Sequence, residues 1–119
     1  MGFTAWNTEV MNRLKTGSIK NVIYFGDSKD KLPIPYVVLK SMAGGNRKTL
    51  QIIVHNVLGT QDLLEAYILR ELPSLFKEPL VSGEEAITVR ETGSWFGPYI
   101  DEYDDTLTMS RDFYIPVVL

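Results

Sequence analysis

The chain has no cysteine and a single histidine among its 119 residues. The first absence excludes disulfides, thiolate nucleophiles and zinc sites of the finger type, and it agrees with a reducing compartment. The second leaves imidazole chemistry to His55, which has no Cys or His neighbour to complete a ligand set and reads as a sheet-surface residue. No stretch approaches the roughly 18 consecutive apolar residues of a membrane span. Met1 to Trp6 lack the basic and apolar regions of a signal peptide, and Trp6 stands where a myristoylation motif wants Ser or Thr. A cytoplasmic protein with no membrane partner is the expectation. Positive charge is also scarce, with 12 Lys and Arg against 15 Asp and Glu and a formal net charge of -3. General nucleic-acid binding needs clustered cations, and Arg47-Lys48 is the nearest approach to a cluster. A phosphate loop is missing too, because Gly44-Gly45 leads into a strand with no Gly-Lys-Ser/Thr behind it.

What remains describes one α+β domain over residues 1–119, since this length supports a single core and the composition, 45% hydrophobic and 23% charged, is that of a globular chain. Phe3, Trp6, Val10 and Leu14 recur at helical spacing, which predicts a helix from Thr4 to Lys15 with Gly17 as its left-handed stop. Asn21 to Phe25 is a short strand halted by Gly26-Asp27-Ser28, and the polar loop Asp27 to Lys31 is a segment that a partner could order. Tyr36 to Ala43 and Lys48 to Val57 form a hairpin around Gly44-Gly45-Asn46, with Leu50, Ile52 and Val54 facing the core.

A second helix, capped by Thr60 and carrying Asp62 in its first turn, places Leu63, Leu64, Tyr67, Ile68, Leu72 and Leu75 on one stripe. Pro73 predicts a kink or stop near Leu72, with one short turn beyond it. After the Ser82-Gly83 turn, Ala86 to Thr92 is a strand and Gly93 to Tyr99 a loop. In the last strand Leu107, Met109, Phe113, Ile115, Val117 and Leu119 share one parity, opposed by Thr106, Thr108, Ser110, Asp112 and Tyr114. Arg111 interrupts the apolar face, which calls for a bulge or for a paired guanidinium near the sheet edge. Pro116 puts at least one side of that strand's end on an edge. Together these elements predict an antiparallel or mixed sheet of about five strands with two helices packed mainly on one face.

No catalytic constellation emerges, and the protein reads as a non-enzyme without cofactor or metal. Gly26-Asp27-Ser28 matches a Ser-hydrolase block for three residues only and lacks a histidine on an Asp-supported loop, so it reads as a turn. Asp101, Glu102, Asp104 and Asp105 form the densest acidic run. They lack the alternating ligands and central glycine of an EF-hand and read as a solvated hairpin turn, as do Glu84 and Glu85. Trp95, Phe96 and Tyr99 are crowded between glycines and a proline. They are candidates either for an interface, with Arg47 and Lys48, or for a plug folded onto the core.

The runs Leu32-Pro33-Ile34-Pro35-Tyr36-Val37-Val38-Leu39 and Leu50-Gln51-Ile52-Ile53-Val54-His55, the Asp62 to Leu72 helix, and the ending from Asp104 to Pro116 resemble the tail-terminator and tail-completion proteins of long-tailed bacteriophages. The likeness covers most of the chain from Leu32 and rests on element order and an extended Pro-Tyr strand, with no invariant chemical motif. It implies a subunit of a homo-oligomeric, six-fold ring on the end of the tail tube. That ring halts tube growth and offers a surface for joining the head, in a virion tail assembled in the host cytoplasm. The implied partners are the tail tube protein and a head-completion or connector protein, with DNA passing through the ring and no sequence-specific binding. Asp101, Glu102, Asp104, Asp105, Glu84 and Glu85 are the candidates for an acidic lumen that repels passing DNA. The alternatives are a head-side neck or connector protein and a small bacterial protein- or ligand-binding module.

Overall fold

A computed structural model describes residues 3–28 and 32–116, with side chains from residue 6 onward. Helix α1 (Phe3–Leu14) buries Trp6, Val10, Met11 and Leu14 at helical spacing, and the Phe3 side chain lies outside the described residues. Gly17 is not left-handed. It is small because a Cβ there would lie 2.9 Å from Glu71 Oε2 and 3.0 Å from Leu75 Cδ1, so glycine permits a close approach of the second helix. Glu71 fills that approach by accepting the Ser18 backbone N–H at 2.8 Å and the Ser18 hydroxyl at 2.7 Å.

Strand β1 (Val22–Tyr24) pairs in parallel with β2 (Tyr36–Gly44). Between them Gly26 takes φ 94 and Asp27 Oδ2 accepts the Tyr24 N–H at 3.0 Å, the turn expected at Gly26-Asp27-Ser28. Lys29 to Lys31, part of the polar loop, lie outside the described residues. A two-residue connection, Gly45-Asn46, joins β2 to β3 (Arg47–Asn56), and Gly45 supplies the positive φ of 59. Gly44 belongs to the strand.

The second helix, α2, spans residues 61–75 in three contiguous pieces: an α-helical turn Gln61–Ala66, a π-helical turn Tyr67–Glu71 and a last α turn Leu72–Leu75. Thr60 does not cap it through its side chain, because the hydroxyl turns back to the Val57 carbonyl at 2.6 Å. Pro73 does not stop the helix, and the expected short turn beyond Leu72 is there, as Leu72–Leu75. The wide π turn sends the Leu72 N–H to the Tyr67 carbonyl, five residues back, so the chain passes Pro73 and continues to Leu75. This widening also resets the apolar stripe: Leu64, Ile68 and Leu72, spaced by four, stay in line and are buried with Tyr67, whereas Leu63 is 64% exposed.

Short strands β4 (Leu80–Ser82) and β5 (Glu85–Ile87) form a separate hairpin, with β4 held near α1. Arg13 links the two, donating to the carbonyls of Leu75, Glu78 and Pro79 at 2.8–2.9 Å. The expected strand Ala86 to Thr92 is thus divided, because its first residues pair with β4 and its last belong to β6 (Arg90–Asp101). The expected aromatic loop, Gly93 to Tyr99, lies inside β6. Its glycines and proline do not end the strand; they bend it, with register shifts between Glu91 and Trp95 and between Phe96 and Tyr99 against β7 (Thr106–Pro116).

The main sheet has the order β1-β2-β3-β7-β6, antiparallel apart from β1 with β2, so this is a five-stranded mixed sheet in an α+β fold. Leu50, Ile52, Val54, Met109, Phe113 and Ile115 form one buried cluster with Trp6, Leu64, Ile68 and Leu72, which places both helices over the same face. Val117 and Leu119 lie outside the described residues. Pairing with β6 begins at Tyr114, so Pro116 faces no neighbour on that side, as its missing N–H requires. The Arg111 alternatives resolve together: β7 keeps an unbroken register with β3, the irregularity lies across from it in β6, and the guanidinium is paired. Its Nη1 donates to the Ile68 carbonyl at 3.0 Å and its Nη2 to Glu91 Oε1 at 2.8 Å. In a π turn that carbonyl would accept from residue 73, which is proline and has no N–H. Arg111 therefore supplies the donor that Pro73 lacks.

Candidate functional site

Alternation along β3 puts His55 on the face away from the helices, directly between Tyr36 of β2 and Thr108 of β7 in the ladder. His55 is buried although it lies on the outer face. Its ring stacks on Tyr36 with centroids 4.7 Å apart and planes 16° from parallel. Nδ1 lies 3.1 Å from the Thr106 hydroxyl and 3.0 Å from the Thr108 hydroxyl, and both threonines are buried. Beyond them stand two carboxylates, Asp101 Oδ2 and Asp104 Oδ2, each 4.0 Å from Nδ1.

The acidic turn holds these carboxylates by its own backbone. Asp101 Oδ1 accepts the N–H groups of Tyr103 and Asp104 at 3.0 and 3.3 Å, and Asp105 takes φ 54 to close the turn. The Tyr36 hydroxyl donates to Asp104 Oδ2 at 3.1 Å. Burial first, then that hydrogen bond and the negative charge of Asp104 and Asp101, push the Tyr36 hydroxyl well above the ordinary tyrosine range. Tyr99 is raised too, by burial and by Asp101. The turn is therefore only partly solvated: Asp101 and Asp104 face His55, while Glu102 and Asp105 are exposed. Among the described residues, His55, Asp101 and Asp104 offer three ligand atoms within 4.8 Å of one another, the set that could hold a metal ion.

The other candidates are scattered. Trp95, Phe96 and Tyr99 lie on β6, an edge of the sheet, and Trp95 and Phe96 are 51% and 66% exposed, so they do not plug the core. Phe96 and Tyr99 contact each other at 5.3 Å between centroids, and Ile100 and Tyr103 extend the exposed apolar surface. Arg47 is exposed and lies over the Tyr114 ring at 4.6 Å. Lys48 is no surface cation. It shares the parity of Leu50, is 3% exposed, and burial lowers its ammonium below the ordinary lysine value. Glu84 and Glu85 are exposed on the small β4–β5 hairpin, apart from the acidic turn. Sequence reasoning passed over Tyr36, Thr106 and Thr108, yet strand parity alone puts all three on the face of His55.

A groove of about 270 Å³ opens on the helix side, lined by Ser18, Ile19, Asn56, Leu63, Ala66, Tyr67 and Glu71. No protein-family model matches the chain, and no curated protein matches it either.

Proposed function

We propose that this chain is a structural assembly protein of a phage or prophage tail, a ring subunit that caps the tail tube, ends its growth and helps join tail to head. The observation that carries this reading is the sheet order, which among the described residues ends in two dissimilar edge strands. At one side stands β1, three residues long, and at the other β6, twelve residues with Trp95, Phe96 and Ile100 exposed. A closed ring needs two different patches on each subunit, joined head to tail. Aromatic residues on an edge that is bent by bulges favour side-chain packing against a neighbour over simple strand addition. In such a ring the exposed Glu102 and Asp105, or the exposed Glu84 and Glu85, are the acidic candidates to face passing DNA.

Sedimentation velocity across a concentration series, alone and with the tail tube protein, followed by negative-stain microscopy, tests the reading. Closed rings of the wild type, lost in a Trp95→Ala, Phe96→Ala variant that folds normally, are the expected result. A monomer under every condition counts against it. The 270 Å³ groove beside Tyr67 favours a second reading, a small ligand-binding module, which predicts saturable binding of an apolar small molecule by that monomer.

A further inference from the structure

We propose that His55, Asp101 and Asp104 form a binding site for one first-row divalent cation of the Mn2+ or Zn2+ kind. Nδ1 is the ring nitrogen turned toward the carboxylates, and the Tyr36 stack together with burial fixes the plane of the ring. Asp101 spends Oδ1 on the Tyr103 and Asp104 amides, which leaves Oδ2 pointing at the imidazole. Asp104 is oriented by the Tyr36 hydroxyl on its Oδ2. Groups that orient a ligand from behind are what distinguish a built site from a chance cluster of acids. Here Asp101 is held through its second oxygen by two backbone N–H groups and the His55 ring by the Tyr36 stack, while the Tyr36 hydroxyl anchors Asp104 at the ligand oxygen itself.

Nδ1 stands 4.0 Å from each Oδ2, and all three ligand atoms fall within 4.8 Å. Neighbouring ligands on a cation with bonds of about 2.1 Å lie roughly 3 Å apart, so an ion must draw the carboxylates inward by about 1 Å. That shift meets little packing, because Glu102, Tyr103 and Asp105 of the turn are exposed to solvent. The hydroxyls of Thr106 and Thr108, 3.2 Å apart and both beside Nδ1, supply further neutral oxygens for the ion or its waters. One imidazole nitrogen with two carboxylates is a borderline donor set. Mg2+ and Ca2+ favour an all-oxygen shell, and no thiolate is present to select a soft ion.

The test uses the full chain and the bare ions. Mn2+ binding is followed by loss of the free-ion electron paramagnetic resonance signal, and Zn2+ binding by the nitrogen resonances of the imidazole, which are unambiguous because the chain has one histidine. The expected result is one ion per chain, weakened at least about tenfold by Asp101→Asn or Asp104→Asn and by less than about twofold in a Glu102→Gln, Asp105→Asn double variant. Zn2+ is expected to shift Nδ1 rather than Nε2, and Mg2+ in equal amount to leave Mn2+ bound. Three outcomes overturn the proposal: no saturable binding below about 1 mM, equal losses in the exposed-acid control, or displacement of Mn2+ by an equal amount of Mg2+. The asparagine variants keep the shape of the turn, and their circular dichroism separates a lost ligand from a lost fold.

Discussion

Replacing Arg111 by methionine tests whether its guanidinium substitutes for the N–H missing from Pro73. The change keeps most of the stem volume and removes two hydrogen bonds, one to the Ile68 carbonyl at 3.0 Å and one to Glu91 at 2.8 Å. Glu91 is half exposed, so its pair contributes at most about 1 kcal/mol. Ile68 is fully buried, and leaving its carbonyl without a donor costs about 1–3 kcal/mol. Arg111→Met should therefore destabilise by about 1–4 kcal/mol in urea titrations with an unchanged slope. Pro73→Ala restores an N–H at residue 73, which gives the Ile68 carbonyl a partner within its own helix. In that background the Arg111→Met cost should fall by about 1–2 kcal/mol, a coupling that a double-mutant cycle reads directly. Additivity within about 0.5 kcal/mol would refute the reasoning, because it would mean the guanidinium and the proline act separately.

The Tyr67 hydroxyl is buried without a hydrogen-bond partner among the described residues, so Tyr67→Phe should raise stability by about 0.5–2 kcal/mol in the same titration. Burial, then the charge of Glu71, raises the Tyr67 ionisation far above its ordinary value. The stability linked to that raised ionisation is complete below the ordinary tyrosine value of about 10 and is lost as pH rises beyond it, so the alkaline decline should be shallower in Tyr67→Phe. Gly97 and Gly93 make a matched pair on β6, both with positive φ, but a Cβ on Gly97 would lie 2.9 Å from the Thr108 carbonyl while one on Gly93 meets nothing within 4 Å. Gly93→Ala should cost about 1–2 kcal/mol by thermal unfolding and Gly97→Ala at least about 1 kcal/mol more; equal costs would show that the contact with β7 is unimportant.

Much of the fold could be read from the chain because its periodicities are clean. The alternation of Leu50, Ile52 and Val54 and that of Met109, Phe113 and Ile115 name the core face of two central strands, β3 and β7, and the Gly45 turn fixes the hairpin of β2 with β3. Glycine and proline do not act here as plain punctuation. Gly93, Gly97 and Pro98 bend β6 without ending it, because hydrogen bonds to β7 resume after each irregularity. Pro73 follows a π turn whose Ile68 carbonyl takes its donor from Arg111, 38 positions beyond the proline in sequence. Gly17 makes room for the second helix and is not the left-handed stop that its position suggests. The His55 site was half legible: parity put Tyr36, Thr106 and Thr108 beside His55, but the inward turn of Asp101 and Asp104 depends on hydrogen bonds within the loop that composition cannot show. Lys48 misled for a related reason, since a lysine beside an arginine looks like surface until its parity with Leu50 is counted.

Helix α2 is gripped at two places by guanidinium groups that belong to other elements: Arg111 at the Ile68 carbonyl and Arg13 at the Leu75 carbonyl. A helix held once can slide or turn about its fastening, whereas one held at two carbonyls, two turns apart, keeps its height and rotation over the sheet. The small hairpin travels with it, because Arg13 also grasps Glu78 and Pro79. Any rearrangement that leaves both clamps intact must therefore carry α1, α2 and the β7 strand as a single rigid block, with bending confined to the sheet's outer strands and the turns that join them.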